Sequence, residues 1–346
     1  MLKQNFIKVA QKLALSGTFK IHNFYGALNV GIEIAFFTIG CVLLTKVPHF
    51  SLGYWVLQFL LGLCLFRFFV LLHECGHKTL FSKKSVNTII GTLISIPCIV
   101  PYIPWRNVHY LHHRWVGVVD KDPTQATVLK MKDSSSFTQN LFRLIWKTWL
   151  PVSFFKLMLE VFWSYPVKEW KEGKIRFAKA GLVSVIAIVL AHTFLIWHLS
   201  IGEYLVLYAP MLLIYAIWFE NMNFSQHVGL FPYLSEDHPQ PIPLHEQDAI
   251  SRTTKIPSLL AVLFVYNFNL HIEHHLFPAV PWYYLPRIKR AIAGIQSLDY
   301  KGVGFPDYIL DLRKQDPVDI YLKTLPPHDL NQKSVLNNLK IDDYGK

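Results

Sequence analysis

Three groups of histidines stand at helical spacing in this chain: His73-Glu-Cys-Gly-His77, His109-Tyr-Leu-His112-His113 and His271-Ile-Glu-His274-His275. An α-helix carries residues i, i+3 and i+4 on one face, so each group turns two or three imidazoles toward one point. Imidazole is the commonest protein ligand for transition metals and suits iron, zinc, copper and nickel. Eight histidines are too many for one tetrahedral zinc and fit a centre of two ions. A ninth candidate is His227, in Glu220-Asn-Met-Asn223-Phe-Ser-Gln-His227, where Glu220, Asn223 and His227 share a helical face. Asn223 could complete a coordination shell through its amide oxygen or a bound water. Iron fits best, because an all-nitrogen site with open positions can bind and reduce dioxygen, whereas zinc is redox-silent. His192, His198, His22, His49, His238, His245 and His328 stand alone and read as packing or surface residues.

The elements that must position these groups are apolar. The chain has 346 residues, 52% hydrophobic and 16% charged, with a positive mean hydropathy, the composition of a multi-span membrane protein. Residues 27–47 and 50–72 are long enough to cross a bilayer, as are 178–199 and 201–221; about 20 residues are needed. Each pair reads as a hairpin. With a cytoplasmic N-terminus, both hairpins return the chain to the cytoplasmic side, where all the histidine groups then lie. Residues 86–105 are also apolar but hold Gly91, Pro97, Pro101 and Pro104. A full crossing there would put the first two groups on opposite faces of the membrane, so an interfacial or re-entrant segment is predicted. Residues 258–268 are too short to span and are expected to form a buried or interfacial helix. Residues 131–179 mix aromatic and basic side chains, among them Trp146, Lys147, Phe154, Lys156 and Trp170, and read as a membrane-surface segment.

The net charge of +11 raises nucleic acid as a partner, but its distribution excludes it. Residues 1–26 carry Lys3, Lys8, Lys12 and Lys20 with no acid, and residues 105–179 carry thirteen Lys/Arg against six Asp/Glu. That is the positive-inside asymmetry of a membrane protein. Cys41, Cys64, Cys75 and Cys98 lie in or beside apolar runs without CxxC spacing and read as buried free thiols. Residues 1–20 contain no signal-peptide core, so the first span is expected to anchor the chain. Nothing repeats, and residues 1–346 read as one integral domain.

The strings HECGH, VPYIPWRNVHYLHH and HIEHHLFPAVPWYYLP together resemble the membrane fatty acid desaturase family, from about residue 50 to 295. The resemblance implies an all-α integral membrane fold, with four transmembrane helices in two hairpins and a cytosolic helical cap holding a histidine-rich diiron site. It implies that His73, His77, His109, His112, His113, His227, His271, His274 and His275 bind two non-haem irons, with Asn223 as a water-mediated contact. It further implies an oxygen-dependent enzyme that places a cis double bond in a membrane-lipid acyl chain. HECGH is similar to methyl-end and Δ12-type acyl-lipid enzymes, while HIEHH lies nearer the QIEHH of front-end enzymes. No HPGG motif of a fused cytochrome b5 is present, so a separate electron donor is expected, ferredoxin or free cytochrome b5. A bacterial or cyanobacterial inner membrane suits such a chain, with both termini cytoplasmic.

Metal-bound histidines are oriented through their second ring nitrogen. Glu74, Glu273, Asp120, Asp122, Asp248, Arg252, Asn267 and Asn269 are candidates for that work, or else surface charges and helix caps. Trp105, Trp115, Trp282 and Tyr283 could line the cytosolic rim or an acyl tunnel, or act as interfacial anchors. The same site could serve a lipid hydroxylase or a carotenoid hydroxylase or ketolase. A histidine-rich metal transporter would place its ligands midway along the spans, and a bis-histidine haem would need axial pairs rather than triplets.

Overall fold

The computed structural model describes residues 1–125, 129–131 and 133–322; His328 lies outside them. A short amphipathic helix, α1 (Lys3–Leu15), precedes α2 (Asn23–Leu44) and α3 (Leu52–His77). The segment between the first two histidine groups forms α4 (Lys84–Ser95) and α5 (Tyr102–Trp115). Next come α6 (Ser136–Lys147), α7 (Val152–Leu157) with a π-helical continuation (Met158–Trp163), and α8 (Tyr165–Lys171). Two long helices follow, α9 (Ile175–Leu199) and α10 (Ile201–His227). The remainder holds a 3-10 turn (Leu244–Ile250), β1 (Thr253–Lys255), α11 (Ser258–Val265), α12 (His271–Leu276), α13 (Leu285–Ile292), β2 (Gly302–Gly304), α14 (Asp307–Lys314) and α15 (Pro317–Leu322). The fold is mostly helical but departs from the all-α expectation, because β1 and β2 pair in parallel from Thr253↔Gly302 to Lys255↔Gly304.

Helices α2, α3, α9 and α10 are long and apolar enough to cross a membrane. Their 22 to 27 residues correspond to about 33 to 40 Å. Outward-facing Ile32, Phe36, Ile39, Leu190, Phe194 and Trp197 are exposed, an apolar surface that suits lipid and not water. α3 is the central element: it is buried from Leu61 to Gly76 except at Arg67 and packs against α2, α4, α10 and α11. Several polar groups inside this bundle are paired, which lowers the cost of burying them. Glu33 of α2 accepts from Arg67 at 2.5 Å and from the Tyr266 hydroxyl at 2.5 Å. Gln58 donates to Leu207 O at 3.0 Å and Tyr54 to Val206 O at 2.7 Å, tying α3 to α10.

Apolarity ends before the helices do. The sequence places span ends at residues 72 and 221, yet α3 runs on to His77 and α10 to His227. α3 stops only where Lys78 adopts a left-handed conformation, φ 62°. These extra turns deliver ligand-type side chains past the apolar stretch without a flexible joint.

Residues 86–105 fold as two helices around a proline-broken turn inserted among the long helices. At 12 residues, α4 is about 18 Å long and too short to span. The carbonyls freed at the turn are met by side chains: Ile96 O by His192 Nε2 at 3.0 Å, Pro97 O by Tyr208 at 2.7 Å, and Ile99 O by Trp163 Nε1 at 2.9 Å. Side chains from three other elements thus cover this irregular backbone. Gly91 lets the two arms close, since a Cβ there would lie 2.5 Å from the Tyr102 ring.

Of the two arrangements expected for residues 258–268, the interfacial one fits: Ala261 and Val265 of α11 face the core while Leu259 and Leu263 are exposed, an apolar outer face that suits a membrane boundary. One expectation needs correction. Residues 131–179 are more than a surface segment. Trp170 and Leu159 are exposed, but Trp146, Phe154, Met158 and Phe162 are buried, because α7 and its π-helical turn pack against α10 and α5. Of the four free thiols, Cys64, Cys75 and Cys98 are buried and Cys41 is partly so.

Candidate metal centre

The last turn of α3 supplies His73 and His77, α5 supplies His109, His112 and His113, and the end of α10 supplies His227. The six-residue α12 supplies His271, His274 and His275. All nine imidazoles meet at one end of the long helices. Nε2 faces Nε2 in a chain of short contacts: His77 to His109 at 2.8 Å, His109 to His113 at 3.1 Å, and His113 to His274 at 3.0 Å. A second chain joins His227 to His271 at 2.6 Å and His271 to His275 at 3.0 Å.

Among the described residues, the ligand-type atoms divide into two sets, each within 4.8 Å: His73, His77, His109, His113 and His274, and His112, His227 and His275. His271 sits in contact with the second set. Two adjacent all-nitrogen sets suit two ions better than one.

Bare neutral imidazoles could not satisfy this arrangement. Each offers one N–H and one lone pair, and buried polar atoms without partners are costly. His109, His113 and His271 each set one Nε2 against two others, more than a single N–H or lone pair can serve, and both nitrogens of His73 lack a hydrogen-bond partner. A metal at the centre would use the converging nitrogens, so the donor set fits one. Burial, reinforced by neighbouring imidazoles, holds His109, His113, His271, His274 and His275 well below the ordinary histidine pKa, in the neutral form that ligation requires.

Outer contacts fix several rings. Asp122 Oδ2 accepts from His112 Nδ1 at 2.7 Å, and the Asp122 carboxylate is itself held by Thr124 N at 2.9 Å. His275 Nδ1 donates to Gln247 Oε1 at 3.0 Å, while the Gln247 amide donates to His113 O at 2.9 Å. Trp105 stacks on His109 with ring centroids 4.7 Å apart. Gly76 makes room for it, as a Cβ there would stand 2.6 Å from the indole.

Of the orienting groups expected from sequence, Asp122 alone bonds a cluster imidazole. Glu74 stands 3.7 Å from His73 Nδ1 and instead accepts from Thr79 at 2.6 Å and Trp282 N at 3.0 Å. Glu273 accepts from Thr253 at 2.6 Å and Tyr300 at 2.8 Å, which anchors α12 to β1. Asp120 accepts from Ser235 N at 2.9 Å, and Asp248 accepts from the Met1 amino group at 2.8 Å. Arg252 donates to Val228 O at 2.6 Å, Asn267 to Trp282 O at 3.3 Å and Asn269 to Thr254 O at 2.8 Å. These groups hold loops rather than rings.

An apolar cavity opens on one side of the cluster. His73, His109, His112, His227 and His271 line it together with Phe69, Phe154, Phe162, Phe219 and Phe268. Asn223 also lines it, its amide nitrogen donating to Phe219 O at 2.9 Å. Trp105 belongs to this wall, whereas Trp115, Trp282 and Tyr283 do not. Trp115 packs beside Val116, Trp282 meets the Tyr266 ring at 4.7 Å, and the Tyr283 hydroxyl accepts from His22 N at 2.9 Å. Isolated His192 is engaged in packing, bonded to Tyr204 at 2.8 Å.

Sequence comparison gives the same picture. The sequence model of the Fatty acid desaturase family matches residues 50–303. A chloroplastic omega-6 fatty acid desaturase of Glycine max is 25% identical over 77% of this chain and 62% of its own length, so the chain spans just under two thirds of that relative. An sn-1 oleoyl-lipid 12-desaturase of Picosynechococcus is 28% identical over 75% of this chain and 73% of its own. An sn-1 acyl-lipid omega-3 desaturase (ferredoxin) of Synechocystis is 25% identical over 80% and 76%. All four histidine-bearing segments fall inside the matched residues, and the chain belongs to the fatty acid desaturase family.

Proposed function

We propose that this protein is an oxygen-dependent acyl-lipid desaturase of the methyl-end type, working as a single integral membrane domain over residues 1–346. The observation that carries the reading is the shared wall: five of the clustered histidines line the same cavity as a run of phenylalanines. A metal centre facing a channel of that chemistry meets an unactivated hydrocarbon. His73, His77, His109, His112, His113, His227, His271, His274 and His275 would hold two irons, with Asn223 beside His227 as a further contact. When bound, the irons supply the oxidising power drawn from dioxygen. One CH2–CH2 unit, one dioxygen, two electrons and two protons give one alkene and two waters.

The chain's own residues do the rest. Asp122 and Gln247 keep His112 and His275 in fixed tautomers and orientations. Phe69, Phe154, Phe219 and Phe268 bind the acyl chain and exclude water, which holds the target carbons against the histidines. α2 with α3, and α9 with α10, would form two membrane hairpins, with α5, α12 and the intervening helices as a cytosolic cap and both termini cytoplasmic. The α4–α5 hairpin would be re-entrant. The donor that the Synechocystis relative is named for suggests a ferredoxin-type carrier in a bacterial or cyanobacterial inner membrane.

The test is a fatty acid profile of a host expressing the chain, with metal analysis of the purified protein. A new cis alkene and about two non-haem irons per chain are expected. A hydroxylated lipid without any alkene, zinc alone, or a haem spectrum would reject the reading.

A further inference from the structure

α14 lies past the residues that the family model covers, yet its Arg313 bonds Glu220, which lines the cavity. The side chain is buried. Its Nη2 donates to Glu220 Oε1 at 2.8 Å and to Asn221 Oδ1 at 3.1 Å. The guanidinium lies over the Trp146 ring at 4.2 Å and the Trp149 ring at 5.0 Å, and Trp146 Nε1 donates back to Arg313 O at 3.2 Å. Glu220 therefore uses one oxygen on α14. Its other oxygen, Oε2, accepts from Phe154 N at 3.0 Å.

Phe154 stands in the first turn of α7, whose leading N–H groups have no partner within the helix. Glu220 caps that turn from across the cavity wall. α7 then continues into the π-helical turn, and Phe154, Leu157 and Phe162 from these two elements all line the cavity. π-helical turns are uncommon and concentrate at functional sites. A buried ion pair adds little to stability over an apolar replacement, but it fixes the geometry of what it joins. Arginine suits this because its planar guanidinium lies against the Trp146 and Trp149 rings while its Nη2 serves two acceptors.

We propose that Arg313 is a positioning residue for the acyl pocket. Through Glu220 it sets α7 and the π-helical turn, and thereby which carbons of the chain lie against the histidines. The proposal rests on the reading of the cavity as the acyl site. Glu220 bonds no cluster imidazole, and Asn223 and His227 follow it one and two turns along α10.

The experiment expresses the full-length protein and the variants Arg313→Met, Arg313→Lys and the double variant Arg313→Met with Glu220→Gln. Metal per chain, turnover per metal-loaded enzyme and the positions of the new double bond are read for each. Arg313→Met should keep its metal, lose turnover by on the order of 100-fold and scatter the double bond over neighbouring carbons, as expected for a displaced pocket wall. Arg313→Lys should recover part of the turnover but not the single position, since an ammonium keeps the charge but does not reproduce the planar group lying over Trp146 and Trp149. If Arg313→Met folds poorly, the double variant removes the unpaired charge and should fold while still scattering the product. Unchanged positions and turnover per loaded enzyme in the folded variants would overturn the proposal, as would a lower yield of protein with normal chemistry. An unmodified chain that makes no alkene would refute the desaturase reading instead.

Discussion

Asp122 and Gln247 hold one ring nitrogen each of His112 and His275, so each would act on a bound metal without touching it. Removing such a partner weakens metal affinity or turnover by roughly 10–100-fold in comparable sites. Asp122→Asn and Gln247→Leu should each show a loss of that size in metal titration and in alkene yield, with the helical content unchanged; normal values in both assays would remove the orienting role. His112→Ala or His274→Ala deletes a converging nitrogen outright and should abolish desaturation. The histidines were readable from sequence because helical spacing is local: three short strings each fix their own geometry. Asp122 was readable too, ten residues after His112 on a continuous stretch. Gln247 was not, because it lies 28 residues from His275 in a 3-10 turn that has no periodic pattern. The chemistry of an amide also gives no hint that it serves a ring.

At the scale of elements, α3 and α10 work by running past their apolar stretches, and the α4–α5 hairpin works by turning back. The hairpin depends on close approach at Gly91. Gly91→Val would drive a branched side chain into the Tyr102 ring and should cost about 1–3 kcal/mol, seen as a lower thermal midpoint in detergent together with lost metal. Cysteines introduced at Lys84 and Asn107 should react with an impermeant reagent from the same face of a sealed vesicle. Labelling from opposite faces would rule out a re-entrant hairpin. The prolines and the need to unite the first two histidine groups made the turn legible. Helix ends were less so, since hydropathy marks where lipid stops and not where backbone hydrogen bonding stops. The β1–β2 pair was hidden because three-residue strands carry too little pattern, and its register depends on partners far apart in the chain.

For the whole molecule, four helices from separate parts of the sequence are closed at one end by nine imidazoles. Chelation should therefore do more than stop turnover: stripping the metal should lower the thermal midpoint and increase hydrogen exchange in α12 first, as α12 meets the long helices mainly through the cluster, whereas α5 also packs directly on α3 and α9. Equal exchange in the loaded and stripped protein would show that the fold does not need the ions. Buried ring nitrogens that converge in this number would be better satisfied holding an ion than facing one another. A newly synthesised chain in a metal-starved cell would offer membrane proteases a loosened end. Metal supply would then govern the lifetime of the protein as well as its rate. A pulse-chase in chelated and replete cultures should show faster decay in the former, and equal half-lives would break that link between nutrition and turnover.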